Sequence, residues 1–449
     1  MDVHRNGNRR RRHHRPGRPG IGVGAVRSTE LWWLLRASKT GVALLRVWAR
    51  RLLIALPTVL AALFVTGGGL SSDPLWPWNP HLADFDVYYR TGTLVLQGKD
   101  IFTPEGLPWV YPPFAALLAA VLALLPWAVV TAAWGLLGAA ALLAVLYRLG
   151  LSGWRLSVVG LVSVLFVAPV SQTFAFGQLG ILLVAAAVLD SMPGRRFLKR
   201  RILPEGWLTG LATAVKLTPA VIAAANFVTG RRRPAWTALA TFVAATATGL
   251  LLWADSLHYW GGLIRGDSGT NSGLIYAANQ SVLAMAVRLS RHSTMGWVWL
   301  SLLVLALGLW AAALWHRRGQ PRFALVLAGL TGLLASPISW SHHYVWVVPL
   351  VIVLWQERSL PAVLRWFGQV YALWIITAPF MHIPMGADVE FSYGWWELLV
   401  DDAGIVAGVV FLILAVIAAL GSRNSASATI VESGELNFAE TLVDKEKER

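Results

Sequence analysis

Apolar runs long enough to cross a lipid bilayer recur along almost the whole of this chain. An α-helix needs roughly 20 consecutive apolar residues to span the hydrocarbon layer. Of the 449 residues, 56% are hydrophobic and only 14% are charged, and the mean hydropathy is +0.58. Such a chain is too apolar for an ordinary soluble domain. The sequence therefore predicts an all-α polytopic membrane protein.

The boundaries of the apolar runs predict a bundle of about twelve transmembrane helices. The runs cover residues 52–70, 112–125, 127–147, 156–170, 178–192, 207–228, 235–254, 296–316, 323–340, 344–356, 364–381 and 403–421. Twelve crossings place both termini on one side, and the basic N-terminus predicts that this side is the cytoplasm. The basic cluster from Arg195 to Arg201 conflicts with this arrangement, because it would lie outside. The long loop at 71–111 then also lies on the extracytoplasmic face.

One apolar run is interrupted at its middle and leaves two interpretations open. The run 207–228 contains the sequence Lys216-Leu217-Thr218-Pro219. It is either a single kinked span or two half-helices that enter and leave on the cytoplasmic side. Non-helical backbone at membrane depth is tolerated where it is buried in protein or lines a cavity.

Polar segments flank a predicted membrane domain that covers residues 46–422. Residues 1–45 are basic and are predicted to form a disordered cytoplasmic segment, and residues 423–449 a disordered cytoplasmic tail. Arginine runs can bind nucleic acid. Here a membrane span follows them, so anionic lipid headgroups explain them better, and we expect membrane lipids rather than nucleic acid as partners.

Two carboxylates and an arginine follow the first predicted span, in the sequence Asp84-Phe85-Asp86-Val87-Tyr88-Tyr89-Arg90. Charge is costly near hydrocarbon, which makes acidic groups at a membrane boundary functional candidates. A carboxylate on the outer face can act as a general base that takes a proton from an acceptor hydroxyl. A solvated or helix-capping acid accounts equally well for the spacing alone. Residues 87–96 are expected to form a short amphipathic helix at the interface.

Further candidates lie at the ends of other apolar runs. His342 and His343 are neighbours in a corner between two runs, where imidazoles can donate hydrogen bonds to a phosphate or a sugar. Two interfacial histidines on a turn are the simpler alternative. Lys216 lies mid-run and needs an anionic partner, such as a lipid phosphate, unless it reaches the cytoplasmic surface. Amides and an indole at run boundaries suit sugar recognition or helix capping; they belong to Gln178, Asn279, Gln280 and Trp340.

Several chemistries have no support in the sequence. The chain contains no cysteine, so thiolate ligands and cysteine nucleophiles are excluded. The phosphate-binding, dinucleotide-binding and zincin motifs are also missing. We therefore expect no cofactor. Metal binding by His342 and His343 is the weaker interpretation, because no third histidine or acid with ligand spacing lies nearby, so we expect no metal. An enzyme on the outer face has no access to cytosolic nucleotide sugars, so its donor would have to be carried across on a lipid.

The order of the motifs resembles glycosyltransferase family 87, a group of actinobacterial membrane enzymes of the GT-C superfamily. The resemblance covers about residues 45–420. It rests on Asp84-Phe85-Asp86-Val87-Tyr88, Tyr111-Pro112-Pro113-Phe114-Ala115, Phe176-Gly177-Gln178, Gly210 with Lys216-Leu217-Thr218-Pro219, Asn279-Gln280-Ser281 and Ser336-Pro337-Ile338-Ser339-Trp340-Ser341-His342-His343. Within the family the chain looks most like the mannosyltransferases that build phosphatidylinositol mannosides and lipomannan.

The resemblance implies a specific reaction. Mannose would move from polyprenyl-phosphate-mannose to a mannose hydroxyl of a glycolipid, in α-(1→2) linkage, with inversion and on the extracytoplasmic face of the plasma membrane. Asp84 corresponds to the family's catalytic aspartate and would be the general base. The leaving phosphate gains charge that cations and N–H donors stabilise; the candidates are His342, His343, Lys216, Arg90 and Tyr111. Acceptor-binding or supporting roles fall to Asp86, Gln178, Asn279, Gln280 and Trp340.

Two alternative functions remain open at this stage. One is the same fold using polyprenyl-phosphate-arabinose, although the paired histidines favour mannose. The other is a lipid or solute transporter with broken helices and Lys216 at a midplane site. Asp84 and Asp86 lie in an outer loop rather than in a pore, and no twofold repeat is visible, so the transferase is the leading hypothesis.

Overall fold

The computed structural model describes residues 28–71, 80–102, 106–198, 200–265, 273–291 and 297–447, with side chains from residue 45 to residue 421. Every regular element in these ranges is a helix. The α-helices are α1 Ser28–Thr66, α2 Ala83–Leu96, α3 Pro113–Ala123, α4 Trp127–Arg148, α5 Trp154–Phe166, α6 Ala168–Phe176, α7 Gly180–Ser191, α8 Trp207–Val215, α9 Ala220–Val228, α10 Arg232–Gly249, α11 Trp253–Ile264, α12 Val282–Ser290, α13 Val298–Arg317, α14 Pro321–Ala335, α15 Val347–Gln356, α16 Ala362–Thr377 and α17 Trp395–Lys447. Short 3-10 helices cover Ser341–Trp346, Pro379–His382 and Val389–Ser392.

The prediction of a helical membrane protein is confirmed, but the number of twelve crossings is not. In the described part of the chain, four helices are long and apolar enough to cross a membrane: Leu45–Thr66, Trp127–Arg148, Val298–Arg317 and Trp395–Gly421. A fifth results if α5 and α6, bent by 72° at their junction, count as one span. The other apolar helices are shorter, among them α3, α7 and α14.

The run predicted to cross at 112–125 packs along α2 instead. With 11 residues, α3 is about 16 Å long, roughly half the thickness of the hydrocarbon core. A Cβ atom on Gly92 of α2 would lie 2.2 Å from the carbonyl oxygen of Ala119, so only glycine permits this approach of the two helices. The hydroxyl of Tyr89 donates to the carbonyl of Leu125 at 3.0 Å. The chain thus returns to α2 before α4 begins.

The interrupted run at 207–228 forms two half-helices, which is the second of the two predicted alternatives. At the start of α8, the backbone N–H of Gly206 donates to the Asp190 carboxylate at 2.9 Å. After the end of α9, Arg231 pairs with Glu205, which directly precedes Gly206. Both ends of the hairpin therefore meet beside the end of α7, and Lys216 lies at its tip.

The end of the basic cluster at 195–201 lies beside the base of this hairpin. Arg201 lies 3.5 Å from the same Asp190 carboxylate that caps α8, at the end of the bundle where Arg231 also lies. Arg201 and Arg231 therefore share one end of the helix bundle, where both also pair with Glu205. All these contacts fall within the compact unit Ile54–Arg449.

The structure describes the backbone of the C-terminal segment but not that of residues 1–27. The backbone of α17 is helical through Lys447, and the disordered tail predicted from residue 423 stays a prediction. No proline occurs after residue 384, so local backbone chemistry does not stop the helix. Residues 1–27 lie outside the described residues, and the predicted domain limits remain a prediction.

Candidate active site

Asp84 lies in the first turn of α2, on the face directed into the bundle. Helix α2 begins four residues before the predicted amphipathic segment at 87–96 and includes it. The backbone N–H of Leu82 donates to the carbonyl of Ala175 at 2.7 Å and so anchors the start of α2 on α6. Position 88 is one helical turn after position 84 and shares its face, which is why Asp84 and Tyr88 point into the same cluster.

Asp86 and Arg90 lie on the opposite face of α2. Their side chains form an i,i+4 ion pair at 2.7 Å and are 50% and 37% exposed, respectively. Position 86 is 200° around the helix from position 84, whereas positions 86 and 90 differ by only 40°. The structure therefore does not bring Asp86 to Asp84, nor Arg90 to the phosphate site predicted for it.

A glycine turn between α6 and α7 brings Gln178 to Asp84. Gly177 has φ +70°, and a Cβ atom at this position would lie 2.4 Å from the Cβ of Phe85. Glycine is required both for the left-handed backbone and for the contact with α2. The next residue, Gln178, is buried and hydrogen-bonds the Asp84 carboxyl group. The motif Phe176-Gly177-Gln178 thus places an amide donor at the acid.

Two tyrosines complete the wall beside Asp84. The hydroxyl groups of Tyr88 and Tyr111 lie 3.0 Å apart, and Tyr88 donates to Oε1 of Gln178 at 3.2 Å. The amide oxygen of Gln178 also accepts from the backbone N–H of Leu179 at 3.3 Å. Its oxygen is therefore occupied, which directs the amide N–H group toward the carboxylate.

Lys216 and His343 meet on the other side of the acid. The Lys216 Nζ lies 2.8 Å from the His343 Nε2 and 5.3 Å from the centre of the Tyr111 ring. The Lys216 ammonium is close enough to Asp84 to stabilise its carboxylate electrostatically. The hairpin tip, the start of α3 and the segment before α15 therefore converge on Asp84.

His342 lies next to His343, but its ring makes aromatic contacts rather than hydrogen bonds with the described residues. Its side chain is buried, at 4% exposure, and neither ring nitrogen has a hydrogen-bond partner among the described residues. Its ring stands perpendicular to that of His343, with centres 4.6 Å apart, and meets the Phe176 ring edge-on. Two buried ring nitrogens without partners are expensive, so His342 is available to a ligand.

Burial governs the ionisation of Asp84. Loss of solvent raises the pKa of the Asp84 carboxyl group to about 6, although the hydrogen bond from Gln178 and the Lys216 charge both lower it. A general base works best with a pKa near the operating pH. The environment of Asp84 thus moves an ordinary carboxylate toward the range in which it can accept a proton from a hydroxyl.

An apolar groove opens from the Lys216–His343 pair. It lies between α7, α9, α14 and the corner before α15, is partly open to the outside, and has a cavity volume of about 40 Å³. Leu183, Val184, Ile222 and Leu333 are among its apolar lining residues. A Cβ atom on Gly329 would lie 2.3 Å from the Trp346 ring, so this glycine lets the indole form part of the wall. The lining of the groove is mostly apolar, with Lys216 and His343 as polar groups in it.

The remaining predicted residues brace the segment 336–343, which we call the histidine corner. Asn279 forms an isolated bridge with Trp340, and its Oδ1 accepts from the backbone N–H of Ser339 at 2.8 Å. Nε2 of Gln280 donates to the Asp401 carboxylate at 3.0 Å. The Trp340 ring packs against Tyr276, 6.0 Å away. Asn279, Gln280 and Trp340 thus support the corner rather than contact Asp84.

The sequence reasoning missed four residues that hold this arrangement. Tyr88 belongs to the motif Asp84-Phe85-Asp86-Val87-Tyr88, and its i,i+4 spacing from Asp84 indicates that the two side chains share one helix face. Arg288, Asp401 and Asp402 form a buried ionic cluster with distances of 2.9 Å and 2.5 Å from the arginine to the two acids. Asp401 and Asp402 begin an apolar run, so the cost of charge beside hydrocarbon could have marked them too.

Fold and site together define an integral-membrane enzyme, in which Lys216 and His343 line an apolar groove and lie near Asp84 and His342. The chain belongs to glycosyltransferase family 87, whose sequence profile matches residues 109–337. This membership agrees with the resemblance in the ordered motifs. It makes the protein a membrane glycosyltransferase.

The curated relatives carry closely similar names. A polyprenol-phosphate-mannose-dependent alpha-(1-2)-phosphatidylinositol mannoside mannosyltransferase of Mycobacterium tuberculosis is 31% identical over 384 residues, covering 75% of this chain and 86% of the relative. Its namesake in Mycolicibacterium smegmatis is 30% identical over 388 residues, with 74% and 84% covered. A pentamannoside mannosyltransferase of M. tuberculosis, also polyprenol-phosphate-mannose-dependent, is 31% identical, with 69% and 75% covered. No solved structure is significantly similar to the chain.

Proposed function

We propose that this protein transfers mannose from polyprenyl-phosphate-mannose to a mannose hydroxyl of a phosphatidylinositol mannoside or lipomannan, in α-(1→2) linkage and with inversion. The observation that carries the proposal is that Lys216 and His343 line an apolar groove together, while the Lys216 charge acts on the nearby Asp84 carboxyl group. A base, a cation and a hydrocarbon site together match the three parts of the reaction. The names of the relatives support the choice of donor and acceptor.

The donor lipid occupies the groove in this proposal. Its polyprenyl chain lies along Leu183, Val184 and Ile222, where burial of apolar surface favours binding at about 25 cal/mol per Å². Its phosphate faces the Lys216 ammonium, with His343 and His342 as neighbours. A lysine that would otherwise be costly at membrane depth thereby obtains its anionic partner.

The chemical step divides between the two sides of the donor sugar. Asp84 takes the proton of the acceptor hydroxyl, and that oxygen forms a bond to the anomeric carbon while the bond from this carbon to the phosphate oxygen breaks. The electron pair of that bond leaves with the lipid phosphate, whose added charge Lys216 stabilises. At the anomeric carbon one bond forms and one breaks, and the proton remains on Asp84 until solvent removes it.

The proposal includes a location. Arg201 and Arg231 lie at the end of the bundle opposite the Asp84 cluster, at the base of the hairpin whose tip carries Lys216. Positive residues favour the cytoplasmic side. The active site would then face outward from the plasma membrane, with both termini in the cytoplasm, where a lipid-borne donor replaces a nucleotide sugar.

The test is transfer by purified protein in lipid. Wild-type protein is incubated with labelled polyprenyl-phosphate-mannose and a panel of mannosylated phosphatidylinositols, and the linkage of the product is determined. We expect a single added α-(1→2)-mannose that is absent with Asp84→Asn. Exclusive use of polyprenyl-phosphate-arabinose would replace the proposed donor, and transfer by Asp84→Asn at the wild-type rate would refute the role of Asp84.

A further inference from the structure

We propose that Arg288, held by Asp401 and Asp402, is a positioning residue that fixes the histidine corner in register with Lys216. This inference rests on the proposed role of His343 at the donor phosphate. Arg288 lies in α12 and the two acids near the start of α17, and none of the three is among the residues that surround Asp84. Their effect on the reaction would pass through the backbone that carries His342 and His343.

The guanidinium of Arg288 contacts both the two acids of α17 and the turn before α12. Its side chain is fully buried; Nε lies 2.9 Å from Asp401 Oδ2, and Nη2 lies 2.5 Å from Asp402 Oδ1. Nη1 donates to three backbone carbonyl groups, those of Ile275, Tyr276 and Asn279, at 3.1–3.3 Å. Arginine presents five N–H donors in a fixed planar fork, whereas lysine has three on a single nitrogen. Arg288 thereby fixes the turn before α12.

The turn before α12 fixes the position of the histidine corner. The side chain of Asn279 accepts from the Ser339 N–H at 2.8 Å and donates to the Pro337 carbonyl at 3.2 Å. The backbone N–H of Ser341, directly before His342, donates to the Ala278 carbonyl at 2.9 Å. The corner has almost no regular structure of its own, so these bonds set where the histidines lie.

Asp401 provides a second connection between α17 and the histidine corner. Gln280 donates from Nε2 both to the Asp401 carboxylate and to its backbone carbonyl, each at 3.0 Å. The backbone carbonyl of Gln280 accepts a hydrogen bond of 2.5 Å from the hydroxyl of Tyr344, the residue directly after His343. The histidine pair is thus bracketed by Ser341 and Tyr344, both tied to the turn that Arg288 and Asp401 hold.

The composition of this cluster favours positioning over simple stabilisation. A buried ion pair often contributes no more to stability than apolar residues of the same volume, because desolvation offsets the attraction. Here one arginine meets two acids, and Glu390 is a further buried acid that interacts with Asp401. An apolar core at this point would be simpler but could not hold three carbonyl groups and Gln280 in fixed directions.

Asp402→Asn tests the inference because it keeps the side-chain shape and the Asp401 pair. We expect kcat for mannose transfer to fall about tenfold, as for other residues that orient catalytic groups, with the KM for acceptor unchanged. The control is Glu357→Gln, which removes a partner of Arg322 at the other end of the bundle, where the pair distance is 3.2 Å. This control should leave kcat unchanged.

A double-mutant cycle separates positioning from stability. If Arg288 and its acids act through the histidine corner, Asp402→Asn should cost nothing further in a background that carries both His342→Ala and His343→Ala. A tenfold loss in both backgrounds would overturn the inference. Should Asp402→Asn fail to fold, Arg288→Lys keeps the charge but loses the fork, and the same cycle applies to it.

A measurement that does not depend on mannose transfer distinguishes this inference from the proposed function. The chain has no cysteine, so Ser336→Cys allows a single spin label to report the mobility of the corner. We expect Asp402→Asn, but not Glu357→Gln, to loosen the labelled corner. Unchanged mobility would refute the positioning role even if the protein transfers mannose. Increased mobility in a protein without transferase activity would refute only the proposed function.

Discussion

The Lys216 Nζ lies 2.8 Å from the His343 Nε2 and joins the tip of the α8–α9 hairpin to the histidine corner. An ammonium group can only donate hydrogen bonds. The His343 Nε2 is therefore the acceptor, and a neutral ring carries its proton on Nδ1. The contact uses one of the three N–H groups of Lys216, which leaves donors for an incoming phosphate.

Replacing Lys216 should weaken recognition of the lipid phosphate. Polyprenyl phosphate, the released product, serves as the probe, and its inhibition constant is measured against mannose transfer. We expect Lys216→Met to raise this constant about tenfold or more, because a charge-assisted hydrogen bond contributes roughly 1.5–3 kcal/mol. Arg90→Met is the comparison, since Arg90 pairs with Asp86 on the opposite face of α2. An equal effect of the two substitutions would contradict the assignment of Lys216.

Substitutions of Asp84 and Asp86 should have very different effects on the rate of mannose transfer. Asp84→Asn removes the general base and should lower kcat by about 10²–10⁴-fold. Asp86→Asn removes only an exposed ion pair, which contributes about 0–1 kcal/mol, so its activity should stay within about threefold of wild type. Initial rates of labelled mannose transfer give both values, with thermal unfolding as the check on folding. Loss of transfer in both variants would contradict the division between these acids.

The raised pKa of Asp84 predicts an acid limb in the pH profile. The base must be deprotonated to act, so kcat/KM should fall tenfold per pH unit below the pKa of about 6. Gln178→Leu removes the hydrogen bond that favours the carboxylate. The pKa of Asp84 should then rise, and the acid limb should move to higher pH. Asp86→Asn should leave the limb in place, and a limb that shifts equally in both variants would argue against Asp84 as its origin.

The fold class and the central cluster could be predicted from sequence because both depend on costs that composition reveals. Apolar runs require helices in lipid, and Asp84, Lys216, His342 and His343 were conspicuous as polar groups beside hydrocarbon. The ordered motifs supplied Tyr111 and Gln178. The direction of each side chain was harder to predict. Asp86 and Arg90 lie close to Asp84 in sequence, but helical rotation turns them to the other face of α2.

The details that sequence could not supply depend on tertiary contacts. An apolar run at 112–125 has the composition of a span, yet α3 ends at Ala123 and packs along α2, where Gly92 permits close contact. Likewise Arg288 meets Asp401 and Asp402 across more than 110 residues. No local periodicity indicates such a partner, and the ionic cluster became visible only when α12 and α17 were packed together.

The groove offers a test that depends on the donor lipid alone. Leu183→Trp adds bulk to the groove wall, and overpacking typically costs about 1–3 kcal/mol. We expect the KM for a long-chain polyprenyl donor to rise about tenfold, with a smaller rise for a donor carrying a short prenyl chain. Leu136→Trp, on an exposed face of α4, is the matched control for inserting an indole. Equal effects on long and short donors would show that the chain does not lie in this groove.

Gly177→Ala should damage the site by moving α2 rather than by removing a functional group. A left-handed backbone costs an L-residue about 1–2 kcal/mol, and the added methyl group would also lie 2.4 Å from the Cβ of Phe85. Gly319 has nearly the same φ, +73° against +70°, but nothing lies within 4 Å of its Cβ position. Gly319→Ala therefore isolates the backbone strain. We expect both variants to lower the thermal midpoint, but only Gly177→Ala to lower kcat, by about tenfold or more, because Phe85 directly follows Asp84. Similar kcat values in the two variants would mean that the contact between Gly177 and Phe85 does not set the position of the base.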